Sequence, residues 1–305
     1  MSKLACVFPG QGSQSVGMLA ELANHSGLVK DTFSEASDAL GYDLWDLTQN
    51  DTNNTLHQTE VTQPALLTAS YAAWRVLLAE GSISVDYLAG HSLGEYSALV
   101  AAKVLSLSDA VKLVEARGQY MQSAVPEGTG AMYAIIGLDD EIVVQICKQV
   151  STDTNMVVSP VNFNSPGQIV IAGNEEAADI AGAACKEAGA KRALPLAVSV
   201  PSHCALMKPA AEQLADLLSS MRFSQPQYAV VNNTDVRIET SADSIKKALV
   251  KQLYSPVRWT ESIEYLVKQG VSRIIEVGPG KVLTGLNKRI DKSLELSNFN
   301  SPADL

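Results

Sequence analysis

The sequence predicts an α/β protein with a mostly parallel sheet and a smaller inserted unit of βαββαβ order, the ferredoxin-like arrangement. Along the 305 residues, short apolar runs alternate with stretches of helical spacing, as in parallel strands joined by helices. Between residues 131 and 196 the order becomes strand, helix, strand, strand, helix, strand, with the first pattern on either side.

Residues 4–8 form an apolar strand that runs into the loop Pro9-Gly10-Gln11-Gly12-Ser13-Gln14, and helical spacings follow at 16–24 and 31–40. A polar, Asn/Thr-rich stretch occupies 47–62, after which Pro64 stands near the start of a long helix reaching about residue 80. Residues 86–90 read as a buried strand that turns sharply at Ser92 into a helix ending near 102, with another helix at 108–124. The inserted unit has strands at 131–137, 156–163, 168–172 and 190–196 and helices at 139–150 and 175–188. Beyond it come helices at 206–219, 245–253 and 260–269, strands at 228–232 and 273–277, and a helix after Gly280. Residues 297–305 are expected to fray. This divides the chain into a core of 1–125 and 199–305 and a subdomain of 126–198.

Composition narrows the function. With 46% hydrophobic and 18% charged residues the chain can bury a large core. Its net charge of −10 disfavours nucleic acid as a partner. No apolar run is long enough to span a membrane and no leader pattern opens the chain, so a soluble, cytoplasmic protein is expected. Cys6, Cys147, Cys185 and Cys204 are widely spaced in apolar contexts, which favours buried free thiols over disulfides or a metal site.

Gly90-His91-Ser92-Leu93-Gly94 fits G-x-S-x-G, in which small flanking residues let backbone crowd a strained turn that presents the serine hydroxyl. The first amides of the following helix are unpaired, so the Leu93 N–H could stabilise an oxyanion beside Ser92. The same residues also suit an ordinary helix with a serine N-cap. A serine nucleophile needs a base. His25 and His57 lie in polar, turn-rich contexts, and His91 should point away from its neighbour's hydroxyl. His203, at the end of an apolar run where core chain resumes, is the remaining candidate, with a structural histidine as the alternative.

Arg117 interrupts the apolar stripe of the 108–124 helix. A buried guanidinium must be paired, either with an internal carboxylate such as Glu95 or Glu127 or with a substrate carboxylate. The 9–14 loop has Ser15 where G-x-G-x-x-G needs its last glycine and lacks G-K-[ST], so a nucleotide site is a poor fit. The Gln11 amide could instead be a second oxyanion donor.

Taken together, Pro9–Gln14, Gly90–Glu95, Arg117, Asn162–Gln168, Val200-Pro201-Ser202-His203 and Glu276-Val277-Gly278-Pro279-Gly280 resemble, in order, the malonyl-CoA:acyl carrier protein transacylases of type II fatty acid synthesis, over about residues 3 to 290. The resemblance implies a hydrolase-like α/β core with a ferredoxin-like subdomain. It also implies a ping-pong acyltransferase in which Ser92 takes malonyl from malonyl-CoA and the phosphopantetheine thiol of acyl carrier protein removes it. In that scheme His203 is the base, Gln11 and Leu93 supply oxyanion amides, Arg117 holds the malonyl carboxylate, and the Gln252 backbone carbonyl orients His203. No cofactor or metal is implied, and a monomer is expected. The Val200–His203 tetrapeptide matches neither His-Ala-Phe-His nor Tyr-Ala-Ser-His of related polyketide domains, so malonyl is favoured by likeness to the free-standing enzymes.

Carrier proteins of this pathway are acidic, so docking needs a local basic patch; Lys186, Lys191, Arg192, Lys281, Lys288 and Arg289 are the candidates. The rival functions are a serine hydrolase or thioesterase, which Arg117 on a buried face disfavours, and a non-catalytic scaffold, which the Ser92 and His203 pair disfavours.

Overall fold

A computed structural model describes residues 2–80, 83–126, 128–197 and 200–304. The chain opens with β1 (Lys3–Phe8), then α1 (Ala20–His25), α2 (Gly27–Leu40), α3 (Leu44–Asn50) and α4 (Thr59–Glu80). Next come β2 (Tyr87–Gly90), α5 (Leu93–Ala101) and α6 (Leu107–Ser123). A second group follows: β3 (Gly130–Ile136), α7 (Asp140–Thr154), β4 (Val158–Ser165), β5 (Gln168–Asn174), α8 (Glu175–Glu187) and β6 (Arg192–Pro195). Last are α9 (Lys208–Ser220), β7 (Ala229–Val231), α10 (Ala242–Leu253), α11 (Trp259–Lys268), β8 (Val271–Val277), α12 (Val282–Ile290) and β9 (Glu295–Phe299).

The large sheet runs β7-β2-β1-β8-β9 with every pairing parallel. Its inner strands are apolar on both faces because helices cover both, as parallel sheets require. The small sheet runs β4-β5-β3-β6, all antiparallel, which is the ferredoxin-like strand order. Packed on it, α7 and α8 enclose an apolar core that includes Ile135, Val143, Cys147, Ile169, Ile171 and Ala181. All four cysteines are buried and unpaired. No helix among the described residues is long and apolar enough to cross a membrane. Of the predicted subdomain junctions, Val198 and Ser199 lie outside the described residues.

Two elements differ from the sequence reading. Residues 44–50, inside or beside the polar stretch, form α3, started by Asp43 accepting from the Asp46 N–H at 2.8 Å. The expected frayed end is instead β9, parallel to β8 from Arg273 opposite Glu295 to Val277 opposite Phe299, with Phe299 buried. An edge strand with one buried aromatic at its end carries too little apolar alternation to stand out from Asn-Phe-Asn-Ser-Pro turn chemistry.

The α4 helix is buried almost all round and forms the centre of the core. Its partner α6 comes unusually close: a Cβ on Gly118 would sit 2.6 Å from Glu60 Cα, so only glycine admits this crossing. The approach brings Arg117 of α6 against Gln63 of α4. Buried Glu276, at the end of β8, accepts from the Leu283 and Thr284 N–H groups at 3.0 and 2.7 Å, so the acidic residue of the Glu276–Gly280 motif caps α12.

Candidate active site

The carboxyl ends of β1, β2 and β7 converge, and the loops leaving them build the site, the usual place for one in an open parallel sheet. Between β2 and α5 the chain reverses within Gly90–Gly94. A Cβ on Gly90 would lie 1.9 Å from the Gly94 carbonyl, one on Gly94 2.1 Å from Phe8 O, and one on Gly10 2.5 Å from His91 O. No larger residue fits, which is the physical content of the glycine pattern. Ser92 at the apex has φ 52° and ψ −106°, a strained conformation for a residue with a side chain.

Asn233, just past β7, straps this turn. Its Oδ1 accepts from the Ser92 N–H at 2.7 Å and its Nδ2 donates to Gly90 O at 2.7 Å. Nothing in the sequence reading pointed to Asn233. The first amide of α5, the Leu93 N–H, has no backbone partner among the described residues, and neither has the Gln11 N–H in the loop after β1. Both residues line a cavity of about 430 Å³ with Ser92, Arg117, Asn162 and His203.

His203 Nε2 lies 2.7 Å from Ser92 Oγ and His203 Nδ1 lies 2.7 Å from the Gln252 backbone oxygen. A carbonyl can only accept, so Nδ1 carries the proton and Nε2 is left with its lone pair facing the serine hydroxyl. Burial, reinforced by the charge of Arg117, holds the imidazole down to about 3 from its usual 6.5, so it stays neutral at ordinary pH. The other histidines are elsewhere engaged or distant. His91 Nε2 meets Asn164 Oδ1 at 2.8 Å, away from the serine, and His25 pairs with Glu80. His57 sits exposed on the cavity rim.

Arg117 is 1% exposed and points into the site. Its Nη1 donates to Gln63 Oε1 at 2.8 Å, and its Nη2 donates to Gln252 Oε1 at 3.1 Å and to Ser92 Oγ at 3.4 Å. The Tyr96 ring lies under the guanidinium at 5.3 Å. No carboxylate among the described residues pairs with it. Glu95, one of the two internal partners weighed from sequence, accepts instead from Gln252 Nε2 at 2.8 Å and the Asn233 N–H at 3.0 Å. Glu127, the other, lies outside the described residues. The structure thus gathers all six sequence-predicted site residues around one cavity or directly beneath it. It adds Gln63, Asn233 and the Gln252 side chain.

A hydroxyl beside an imidazole, two amides with no backbone partner and a buried guanidinium with no ion pair, all among the described residues, are groups that serine-based transfer of an anionic acyl group would use. Residues 5–299 match the acyl transferase domain family. The chain is 62% identical over 305 residues to the malonyl CoA-acyl carrier protein transacylase of Salmonella typhimurium, covering 100% of this chain and 98% of that one. Identity to the Escherichia coli K12 transacylase is 61%, over 99% and 97% of the two chains. An acyl carrier protein S-malonyltransferase from Vibrio cholerae superposes with a TM-score of 0.96 at 61% identity, covering 99% and 98%. A malonyl-transacylase solved in complex with a type II polyketide acyl-carrier protein superposes with a TM-score of 0.97 at 60% identity, covering 99% and 97%. The chain belongs to the malonyl CoA-acyl carrier protein transacylase family.

Proposed function

We propose that this protein moves malonyl from coenzyme A to the phosphopantetheine thiol of acyl carrier protein through an ester on Ser92, in fatty acid synthesis. The observation that carries this reading is that Ser92 Oγ has the base, His203 Nε2, at 2.7 Å and the cation, Arg117 Nη2, at 3.4 Å. In the first half-reaction Oγ attacks the thioester carbonyl as its proton passes to Nε2; the carbon–sulfur bond then breaks and the proton leaves with the coenzyme A thiol. In the second, Nε2 takes the carrier thiol's proton, sulfur attacks the ester, and the proton returns to Ser92 Oγ. The Leu93 and Gln11 amides receive the oxyanion both times, the Gln252 carbonyl keeps Nδ1 protonated, and Arg117 holds the malonyl carboxylate. No cofactor beyond the thioester itself is needed.

Carrier protein docking is assigned to the groove of about 570 Å³ between β6 and α12, where Lys191, Arg192, Lys281 and Arg289 come together. Two of the six basic candidates are elsewhere: Lys186 Nζ binds the Ala190 and Lys191 carbonyls, and Lys288 does not line the groove. An acidic helix laid along this groove would meet four cations against the net field of the chain. We further assign residues 1–125 and 199–305 to a catalytic core, 126–198 to a subdomain, and the protein to the cytoplasm as a monomer.

Intact-mass measurement after mixing with malonyl-CoA tests the mechanism. A single malonyl adduct, missing in Ser92→Ala and chased onto added holo carrier protein, is expected. Continuous release of coenzyme A without an adduct would make the protein a thioesterase, and no reaction at all would sink the catalytic assignment.

A further inference from the structure

A buried arginine is ordinarily matched by a buried carboxylate, because taking a lone charge out of water is costly. Arg117 is handled differently. The guanidinium is held by two neutral side chains, the Gln63 amide through Nη1 at 2.8 Å and the Gln252 amide through Nη2 at 3.1 Å, and all three residues are buried. A carboxyl group is close by, but Gln252 stands between: its Oε1 faces Arg117, while its Nε2 donates to Glu95 Oε2 at 2.8 Å and to the Ser92 carbonyl at 3.1 Å. The Asn233 N–H donates to the same Glu95 oxygen at 3.0 Å, and no ion pair joins Glu95 to Arg117. An amide oxygen satisfies an N–H donor without cancelling the charge behind it.

We infer that Gln63 and Gln252 are positioning residues that set acyl specificity: their side-chain amides aim the Arg117 guanidinium while leaving its charge for the substrate's carboxylate. This rests on Arg117 binding malonyl as proposed above, and deepens that reading by naming what keeps the cation uncommitted. A glutamate at either position would put a resident carboxylate where the substrate's must act. The Gln63 side chain is hydrogen-bonded to Arg117 and the Met121 sulfur and not to His203 or the Gln252 carbonyl, so Gln63→Glu changes the guanidinium's partner and leaves the histidine's own hydrogen bonds in place.

The test compares single-turnover acylation of Ser92 by malonyl-CoA and by 4-nitrophenyl acetate, which has no carboxylate on its acyl group. In Gln63→Glu the malonyl-to-acetyl rate ratio should fall by about tenfold or more, the worth of one charge-assisted hydrogen bond, and in the neutral Gln63→Met by less. Gln252→Glu, whose backbone carbonyl still faces His203, should lower the ratio in the same way and serves as the second variant should the first not fold. A ratio within twofold of the parent in both glutamate variants, or two rates that fall together, would overturn the inference. Failure of the parent protein to take malonyl onto Ser92 would instead remove the function it rests on, and the two failures are told apart by the parent's intact mass.

Discussion

The two sheets bury their interiors by opposite means. Under the small sheet the buried side chains are aliphatic or small, drawn from β3, β5, α7 and α8, and the unit is held by close packing. At the carboxyl end of the large sheet the buried set includes Glu95, Arg117, His203, Asn233 and Gln252: the Gln252 side chain joins Arg117 to Glu95, its carbonyl holds His203, and the Asn233 N–H donates to Glu95. The first interior needs few polar partners because its core is a cluster of apolar side chains. The second tolerates its polar groups because most of their donors and acceptors have a partner; Arg117 Nε is a buried exception, and the Leu93 and Gln11 N–H groups, without a backbone partner among the described residues, belong to residues that line the cavity.

Substitutions should therefore separate activity from stability according to which interior they touch. The largest effect is expected for His203→Ala, which should slow Ser92 acylation by malonyl-CoA by roughly a thousandfold or more. Its urea midpoint should shift far less than its rate. Ile171→Ala, in the small unit where Ile171 is fully buried, should do the reverse, costing roughly 2–5 kcal/mol in urea unfolding while the folded fraction keeps its acylation rate. Loss of acylation in folded Ile171→Ala would mean that the two interiors are coupled.

A smaller effect is expected at Asn233→Ala. Removing two hydrogen bonds from the strained elbow should slow acylation by about tenfold, at about 1 kcal/mol for each bond, with a modest fall in melting temperature. An unchanged rate would show that the glycines alone hold the turn.

The pH dependence should be gentler still, and it sharpens the contrast because the buried histidine and glutamate beside Ser92 belong to the polar interior. Since His203 stays neutral far below 6.5, kcat/KM for acylation should show no loss near pH 6.5 on the acid side. Its effect on stability has the opposite sense to a gained partner. Below 6.5 the unfolded chain takes up a proton that the folded histidine refuses until about 3, so stability falls as pH drops through that window. Glu95, pushed up to about 7 chiefly by burial, opposes this: it favours the folded state below its ordinary 4.5 and loses that benefit as pH rises through 7. Urea unfolding of Glu95→Gln should accordingly show a steeper decline between pH 6.5 and 4.5 than the parent.

What could be read from sequence divides along similar lines. The elbow was legible because its requirements are local: two glycines, a serine and a strand-to-helix change within a few residues. The order of the small unit was legible for the same reason, each element following its neighbour in space. Asn233 was not, because its value comes from β7 lying beside β2, a pairing of segments about 140 residues apart with no local mark. Gln63 was hidden in a polar run before Pro64, and only the α4 and α6 crossing at Gly118 gives it a partner. The Gln252 carbonyl entered through family likeness; its side chain, facing both Arg117 and Glu95, needed coordinates.

The choice of a main-chain oxygen to hold His203 has a consequence for how the enzyme can vary. A peptide carbonyl is present whichever side chain follows it and has no proton to gain or lose, so mutation of residue 252 leaves the histidine's anchor in place and acid leaves it unaltered. It also stabilises an imidazolium less than a full negative charge would. A histidine so held can donate as well as accept, which suits the proposed reaction, whose leaving groups would be a thiol in one half and a serine in the other, with the proton handed on twice in each cycle.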